Sequence, residues 1–224
     1  EFLKQTAKEY GADLVGITKI NKDHFYSHRG RKTENYGDPI NCVHSYAIVF
    51  AVEMEKDKID LAPAIEESIE TSRIYVKISI VGMILSYYLR RLGYESRNHM
   101  DANYLLPLPS LAEEAGLGEL GRIGFLVTKK FGPRVRLGAV TTNLELIADE
   151  KQDFGIREFC ETCHLCEKAC LGHAIPSDAS IENAGRHYWQ IEGEKCYEVW
   201  KRIGTDCGVC MKVCPFSVPE NGKK

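Results

Sequence analysis

Eight of the nine cysteines in this 224-residue chain fall in its last third, with the spacing of cluster ligands. The first group runs Cys160-x2-Cys163-x2-Cys166-x3-Cys170, and the second Cys196-x10-Cys207-x2-Cys210-x3-Cys214-Pro215. A [4Fe–4S] cube takes four thiolates, and a C-x2-C-x2-C segment wraps three of them around one face. In two-cluster proteins of this spacing the fourth cysteine of a run reaches the other cube. The pattern therefore assigns Cys160, Cys163, Cys166 and Cys214 to one cluster, and Cys170, Cys196, Cys207 and Cys210 to the other. Leu171 follows Cys170 where such a run carries proline, whereas Pro215 keeps that proline in the second group. Disulfide frameworks suit small secreted chains, and zinc sites use two separated cysteine pairs, so neither accounts for this rhythm. The expected chemistry is electron transfer.

Composition sets the frame around these thiols. With 44% hydrophobic residues the chain can bury a real core, read as one domain plus a small module. A net charge of -3 leaves no nucleic-acid footprint. No apolar run approaches the roughly 18 residues of a membrane span. Thiolates kept free for iron imply a reducing compartment, most simply the cytoplasm. The first residue is Glu1 rather than Met, which leaves room for a leader or tag ahead of it. Cysteine usage divides the chain into an α+β domain over residues 1–148 and a cluster module over 149–224. Cys42, alone in the first part, reads as a small buried hydrophobe.

The elements that must position the thiols follow from periodicity. The opening reads as a helix with Leu3, Ala7 and Tyr10 on one face and Gly11 as its stop. Strands are expected over 13–18 and 45–52, with a long polar surface loop over 21–41 between them. Ile74, Ile78, Val81, Leu85, Tyr88 and Leu92 form the strongest helical stripe, closed by Gly93. Beside it runs a second stripe, Tyr75, Ser79, Gly82 and Ser86, whose small residues suit either close helix packing or a flat cofactor. Ser110 and Glu113 read as a capping box for a short helix ending at Gly116. Gly116, Gly118, Gly121 and Gly124 then make a loop suited to close approach of backbone or ligand. It lacks the long helix of a dinucleotide site, since residues 125–128 and 135–142 read as strands.

The segment AGLGELGRIGFLVTKKFGPRVRLGAVTTNLEL, the two cysteine groups and KCYEVWKRIGTDCGVCMKVCPF together resemble the corrinoid-dependent reductases that carry two [4Fe–4S] clusters. These are the reductive dehalogenases and the epoxyqueuosine reductases. The resemblance covers about the last half of the chain well, and RIYVKISIVGMILSYYLRRLGYES less specifically. It implies a nitroreductase-like core holding a corrinoid (cobalamin), with a C-terminal ferredoxin-like module against it. It also implies reduction of a small-molecule substrate with electrons from a low-potential donor, a ferredoxin or flavodoxin. Glu119, Arg122, Trp189 and KCYEVW favour the dehalogenase branch, since epoxyqueuosine enzymes resemble G-L-G-W-x-G-K-N at the glycine loop. Neither a longer N-terminal portion with a twin-arginine leader nor a helical-repeat tail is seen, which implies a minimal, divergent member.

The resemblance also implies roles. Tyr75 matches the tyrosine of the dehalogenase helix and becomes the expected proton donor, with Arg122 assisting it or binding an anionic leaving group. Asp101 matches the proposed acid of the epoxyqueuosine enzymes, against a plain reading as a turn residue. Ser79, Gly82 and the four loop glycines become the expected corrinoid wall. No protein histidine ligand to cobalt is implied, so His164 is expected to hydrogen-bond or face solvent. Lys129 and Lys130 read as a solvated rim. The rival reading is a two-cluster electron carrier without a corrinoid.

Overall fold

The computed structural model describes residues 1–41, 44–183 and 186–218; Cys42 lies outside them. In chain order the helices and strands are α1 (Phe2–Glu9), β1 (Leu14–Lys19), β2 (Tyr46–Glu53), α2 (Lys56–Ile59), α3 (Ile65–Arg91), β3 (Ser96–His99) and α4 (Leu108–Glu114). Then come β4 (Glu119–Leu120), β5 (Leu126–Val127), β6 (Val135–Thr142), α5 (Ile156–Cys163), α6 (Leu165–Ala169), β7 (Ile181–Asn183), β8 (Arg186–Tyr188), α7 (Gly193–Ile203) and α8 (Val209–Lys212). They form two compact units whose segments interleave along the chain.

The first unit comprises Glu1–Val52, Tyr75–Leu117 and Arg136–Lys151. Its sheet has the order β1-β2-β6-β3, with β1 antiparallel to β2 and β3 antiparallel to β6. β2 is buried along nearly its whole length, as the apolar run over 46–52 requires of a central strand. The helical stripe packs on this sheet: Ile78 and Phe50 crowd Gly138 of β6, where a Cβ would meet them at 2.6 Å. The buried line along α3 is Ile74, Ile78, Val81, Leu85 and Leu89. Leu89 thus replaces the expected Tyr88 and Leu92. Tyr88 stacks on Phe2 at 5.4 Å, and Leu92 lies past the helix end and is exposed. Gly93 supplies the left-handed turn there, at φ 90°.

Three smaller readings change. Tyr10 leaves the α1 face and is exposed, while Leu3 and Ala7 are buried. α4 starts two residues before Ser110, from Pro107 with Pro109 in its first turn. Proline pre-sets the helical φ there, so the capping box at Ser110 is not used. The polar loop is organised by two 3-10 turns, Lys22–His24 and Thr33–Asn35, and by a bridge between His28 and Pro39.

The second unit comprises Glu53–Ile74, Gly118–Val135 and Gln152–Lys224. Its apolar centre is Ile123, Val127, Ile156 and Ile175, against which Cys160, Cys166, Cys170, Cys210 and Phe216 pack. The glycine loop becomes the hairpin β4–β5, pairing Glu119 with Val127 and Leu120 with Leu126. No helix among the described residues is long and apolar enough to cross a membrane.

Candidate functional site

The first thiol group is carried by two short helices. Cys160 and Cys163 lie in α5 and Cys166 in α6, with His164 between them at φ 51°. A left-handed residue costs little at one position but reverses the chain sharply, which turns three thiols inward from one short segment. Cys160, Cys163, Cys166 and Cys214 line one cavity together with Ile123, Val127 and Phe216. His164 lines it too, and its Nδ1 lies 3.4 Å from Glu167 Oε2. Cys214 reaches this group because the chain leaves α8 and enters a proline-led 3-10 turn, Pro215–Ser217.

The remaining thiols group separately. Cys196 in α7 is flanked by Cys170 and Cys207, and Cys210 in α8 by Cys207, Cys196, Cys170 and also Cys166. All eight are free thiols. Burial pushes Cys166 up to about 11 and Cys210 and Cys214 up to about 12, and the neighbouring sulfurs push them the same way. Such a set is unfavourable as thiolates unless cations lie among them, which the irons of two cubes supply. Among the described residues no His, Cys, Asp or Glu group is arranged for a single metal ion. Eight free thiols, four of them lining one cavity, are a donor set that fits clusters.

The glycine hairpin braces the first group. Glu119 Oε2 accepts the backbone N–H of Phe154 at 3.2 Å and of Ile156 at 2.7 Å, capping the start of α5. Arg122 works at the other end. Its Nε donates to the Cys160 carbonyl and its Nη2 to that of Glu161, while Nη1 donates to the carbonyls of Pro176 and Asp178. Its face lies 5.1 Å from the Trp189 ring, whose Nε1 donates to the same Asp178 carbonyl. Arg122 is 1% exposed. Its donors are thus directed at backbone carbonyls, two of them orphans at the helix C-terminus, and not at an acid or leaving group. Gly118, Gly121 and Gly124 are needed by the protein itself: a Cβ would strike Val127 O at 2.3 Å, Val127 Cγ2 at 2.6 Å and Ile191 Cδ1 at 2.4 Å. Gly116 ends α4 at φ 74°.

In the first unit the stripe of small residues meets β3. A Cβ on Gly82 would sit 2.0 Å from Asn98 Oδ1, and Ser86 Oγ lies 3.0 Å from Ser96 Oγ. These two positions serve helix-to-strand packing. Ser79 Oγ donates to the Tyr75 carbonyl, and both residues stay half-buried. Arg136 places its guanidinium 5.4 Å from the centre of the Tyr75 ring, a cation the sequence reading overlooked. Its only sequence signal was an arginine two residues into an apolar strand. Asp101 is exposed in a turn beside Ala102, whose φ is 58°. Lys129 and Lys130 are exposed, and Lys130 lies over the Phe131 ring.

Residues 159–218 match the family described as the 4Fe-4S dicluster domain. The tetrachloroethene reductive dehalogenase of Sulfurospirillum multivorans is 32% identical over 96% of this chain and 50% of that protein. One from Desulfitobacterium hafniense is 35% identical over 98% of this chain and 48% of that protein. The chain thus spans about half the length of the curated relatives it matches. A solved catabolic reductive dehalogenase superposes with a TM-score of 0.87 at 28% identity, covering 97% of this chain and 32% of that one. The epoxyqueuosine reductase of Streptococcus thermophilus shares the fold, with a TM-score of 0.65 at 20% identity over 96% of this chain and 65% of that one.

Proposed function

We propose that this homologue of the reductive dehalogenases is the electron-carrying and substrate-reducing part of a corrinoid-dependent reductase. The observation that carries the reading is the sorting of eight free thiols into two groups of four within a chain that is homologous to such enzymes over nearly all its length. In this reading Cys160, Cys163, Cys166 and Cys214 hold one [4Fe–4S] cluster, and Cys170, Cys196, Cys207 and Cys210 hold the other. Residues 1–148 serve the corrinoid in a nitroreductase-like core, apart from 53–74 and 118–135, which belong with the thiols of 149–224 and serve the clusters. A bound corrinoid supplies the low-valent cobalt that reduces the substrate, a chemistry that belongs to the cofactor. A low-potential ferredoxin or flavodoxin in the cytoplasm is the fitting electron source.

Within this reading Tyr75 holds the transferable proton at its phenolic oxygen. Arg136 beside its ring stabilises the phenolate left behind, the part first given to Arg122. Ser79, one turn along, stands on the same face. The glycines do not support a corrinoid wall, because protein atoms fill the space beside Gly82, Gly118, Gly121 and Gly124. Small chlorinated alkenes are the first substrates to try. The test is anaerobic reconstitution with iron and sulfide, then a cobalamin titration followed by absorbance, then turnover of tetrachloroethene with a low-potential dye. About eight irons, a saturable cobalamin change and chloride release are expected. Clusters without any cobalamin change overturn the reading in favour of a two-cluster carrier.

A further inference from the structure

We propose that Arg122 and Glu119 act as a pair of positioning residues that fix the reduction potential of the cluster held by Cys160, Cys163, Cys166 and Cys214, Arg122 raising it and Glu119 lowering it. The inference rests on the two-cluster reading but not on the corrinoid. α5 carries two of the four thiols, and both of its ends are held by a buried charge from one four-residue stretch of hairpin. Glu119 is 4% exposed at the N-terminus and Arg122 1% exposed at the C-terminus.

These charges lie where a cluster would feel them. Arg122 lines the cavity of these four thiols and its Nε donates to the Cys160 carbonyl at 3.0 Å. Glu119, of opposite sign, stands at the far end of the same helix. Its charge is also met by the two N–H groups it caps and by the positive end of the helix. Net charge and hydrogen bonds to sulfur are the protein's levers on a cluster's potential. A buried cation at one end of α5 and a buried carboxylate at the other therefore act on the cluster of that helix in opposite senses.

The experiment is an EPR-monitored potentiometric titration of the anaerobically reconstituted protein, with Cys214→Ser used to assign the two signals. Arg122→Gln keeps donors for the carbonyls but removes the charge. It should shift the reduced-to-oxidised ratio of its cluster about tenfold toward oxidised, or 59 mV for one electron. Arg122→Lys keeps the charge and should hold the potential within about threefold. Glu119→Gln keeps the acceptor oxygen and should shift the same cluster the other way, leaving its partner in place. The proposal falls if Arg122→Gln moves both clusters equally or neither. Should Arg122→Gln fail to assemble, an unshifted Glu119→Gln overturns it instead. Failure of either cluster to form in the unaltered protein refutes the two-cluster reading itself, a separate outcome.

Discussion

Lowering the pH should destabilise the first unit through His99, and the size of the effect can be worked from its surroundings. His99 is fully buried, with the Leu105 N–H donating to its Nδ1 at 3.2 Å. Its Nε2 therefore carries the hydrogen and donates to Thr141 Oγ1 at 2.9 Å. The Thr141 hydroxyl in turn meets His44 Nδ1 at 2.7 Å, and His44 Nε2 faces Glu95 at 3.8 Å. Burial pushes His99 down to about 3, and the charges of Arg97 and His44 push the same way. An unfolded histidine titrates near 6.5, so below that pH the unfolded chain takes up a proton that the native one refuses. Stability is complete above pH 6.5 and falls by about 1.4 kcal/mol per unit toward pH 3. That is about 2 kcal/mol lost at pH 5 and about 4 kcal/mol once pH 3 is reached. Urea unfolding followed by circular dichroism at pH 7.5, 6.5, 5.5 and 5.0, compared with His99→Gln, isolates the term. The glutamine variant should start less stable but lose about 2 kcal/mol less between pH 6.5 and 5. Equal losses in both proteins would refute the reasoning, because His44 titrates in each.

Other outcomes follow from the same geometry. Cys214→Ser should lower the iron content from about eight to about four and abolish the signal of the cluster beside Arg122, not that of its sequence neighbours Cys207 and Cys210. In corrinoid-loaded protein Tyr75→Phe should cost about 10²–10⁴-fold in kcat with melting unchanged, whereas Asp101→Asn should leave the rate within a fewfold. The reverse result would move the chain to the epoxyqueuosine branch. Gly82→Ala drives a methyl into Asn98 and should cost about 1–3 kcal/mol by urea unfolding, an overpacking penalty that an open cofactor face would not impose.

The thiols were legible because their chemistry dictates spacing: four sulfurs must meet one cube, and only a few short loops allow that. The part of α3 from Ile74 onward was legible because a helix packed on a sheet repeats its apolar face every 3.6 residues, whereas its first nine residues, 65–73, carry no such stripe and were not read as helix. What the sequence hid was the reason for smallness. Gly82, Gly118, Gly121 and Gly124 look alike in a string of letters, and a ligand and a neighbouring backbone make the same demand on a missing Cβ. Only coordinates reveal that Asn98, Val127 and Ile191 take up the room. Arg136 was passed over for the opposite reason. It stands as one arginine in the strand read over 135–142, and nothing local connects it to a tyrosine 61 positions earlier.

The buried arginines carry the same lesson further. A guanidinium is costly to bury, so its donors must find acceptors where it stands. Arg122 answers with four carbonyls around α5. Arg134, fully buried, answers with Nε on the Ser217 carbonyl at 2.9 Å and with Nη1 on the Met54 carbonyl at 2.7 Å and Glu53 at 2.8 Å, while its Nη2 is buried without a partner among the described residues. One therefore pins the helix that carries Cys160 and Cys163, and the other pins the turn that follows Cys214. The two sit twelve residues apart, either side of the hairpin strand β5. The glycine-rich stretch is thus a bracket for the thiols of a single cavity, gathered from α5, α6 and the turn that opens at Cys214. Its glycines make the bracket thin, and its arginines make it hold. Loss of either arginine should cost about 3–5 kcal/mol, the usual penalty for breaking a buried charge from its partners. Arg134→Met, read by thermal unfolding beside iron content, separates a bracket from a bystander. A bystander would melt within a degree or two of the unaltered protein and keep all its iron.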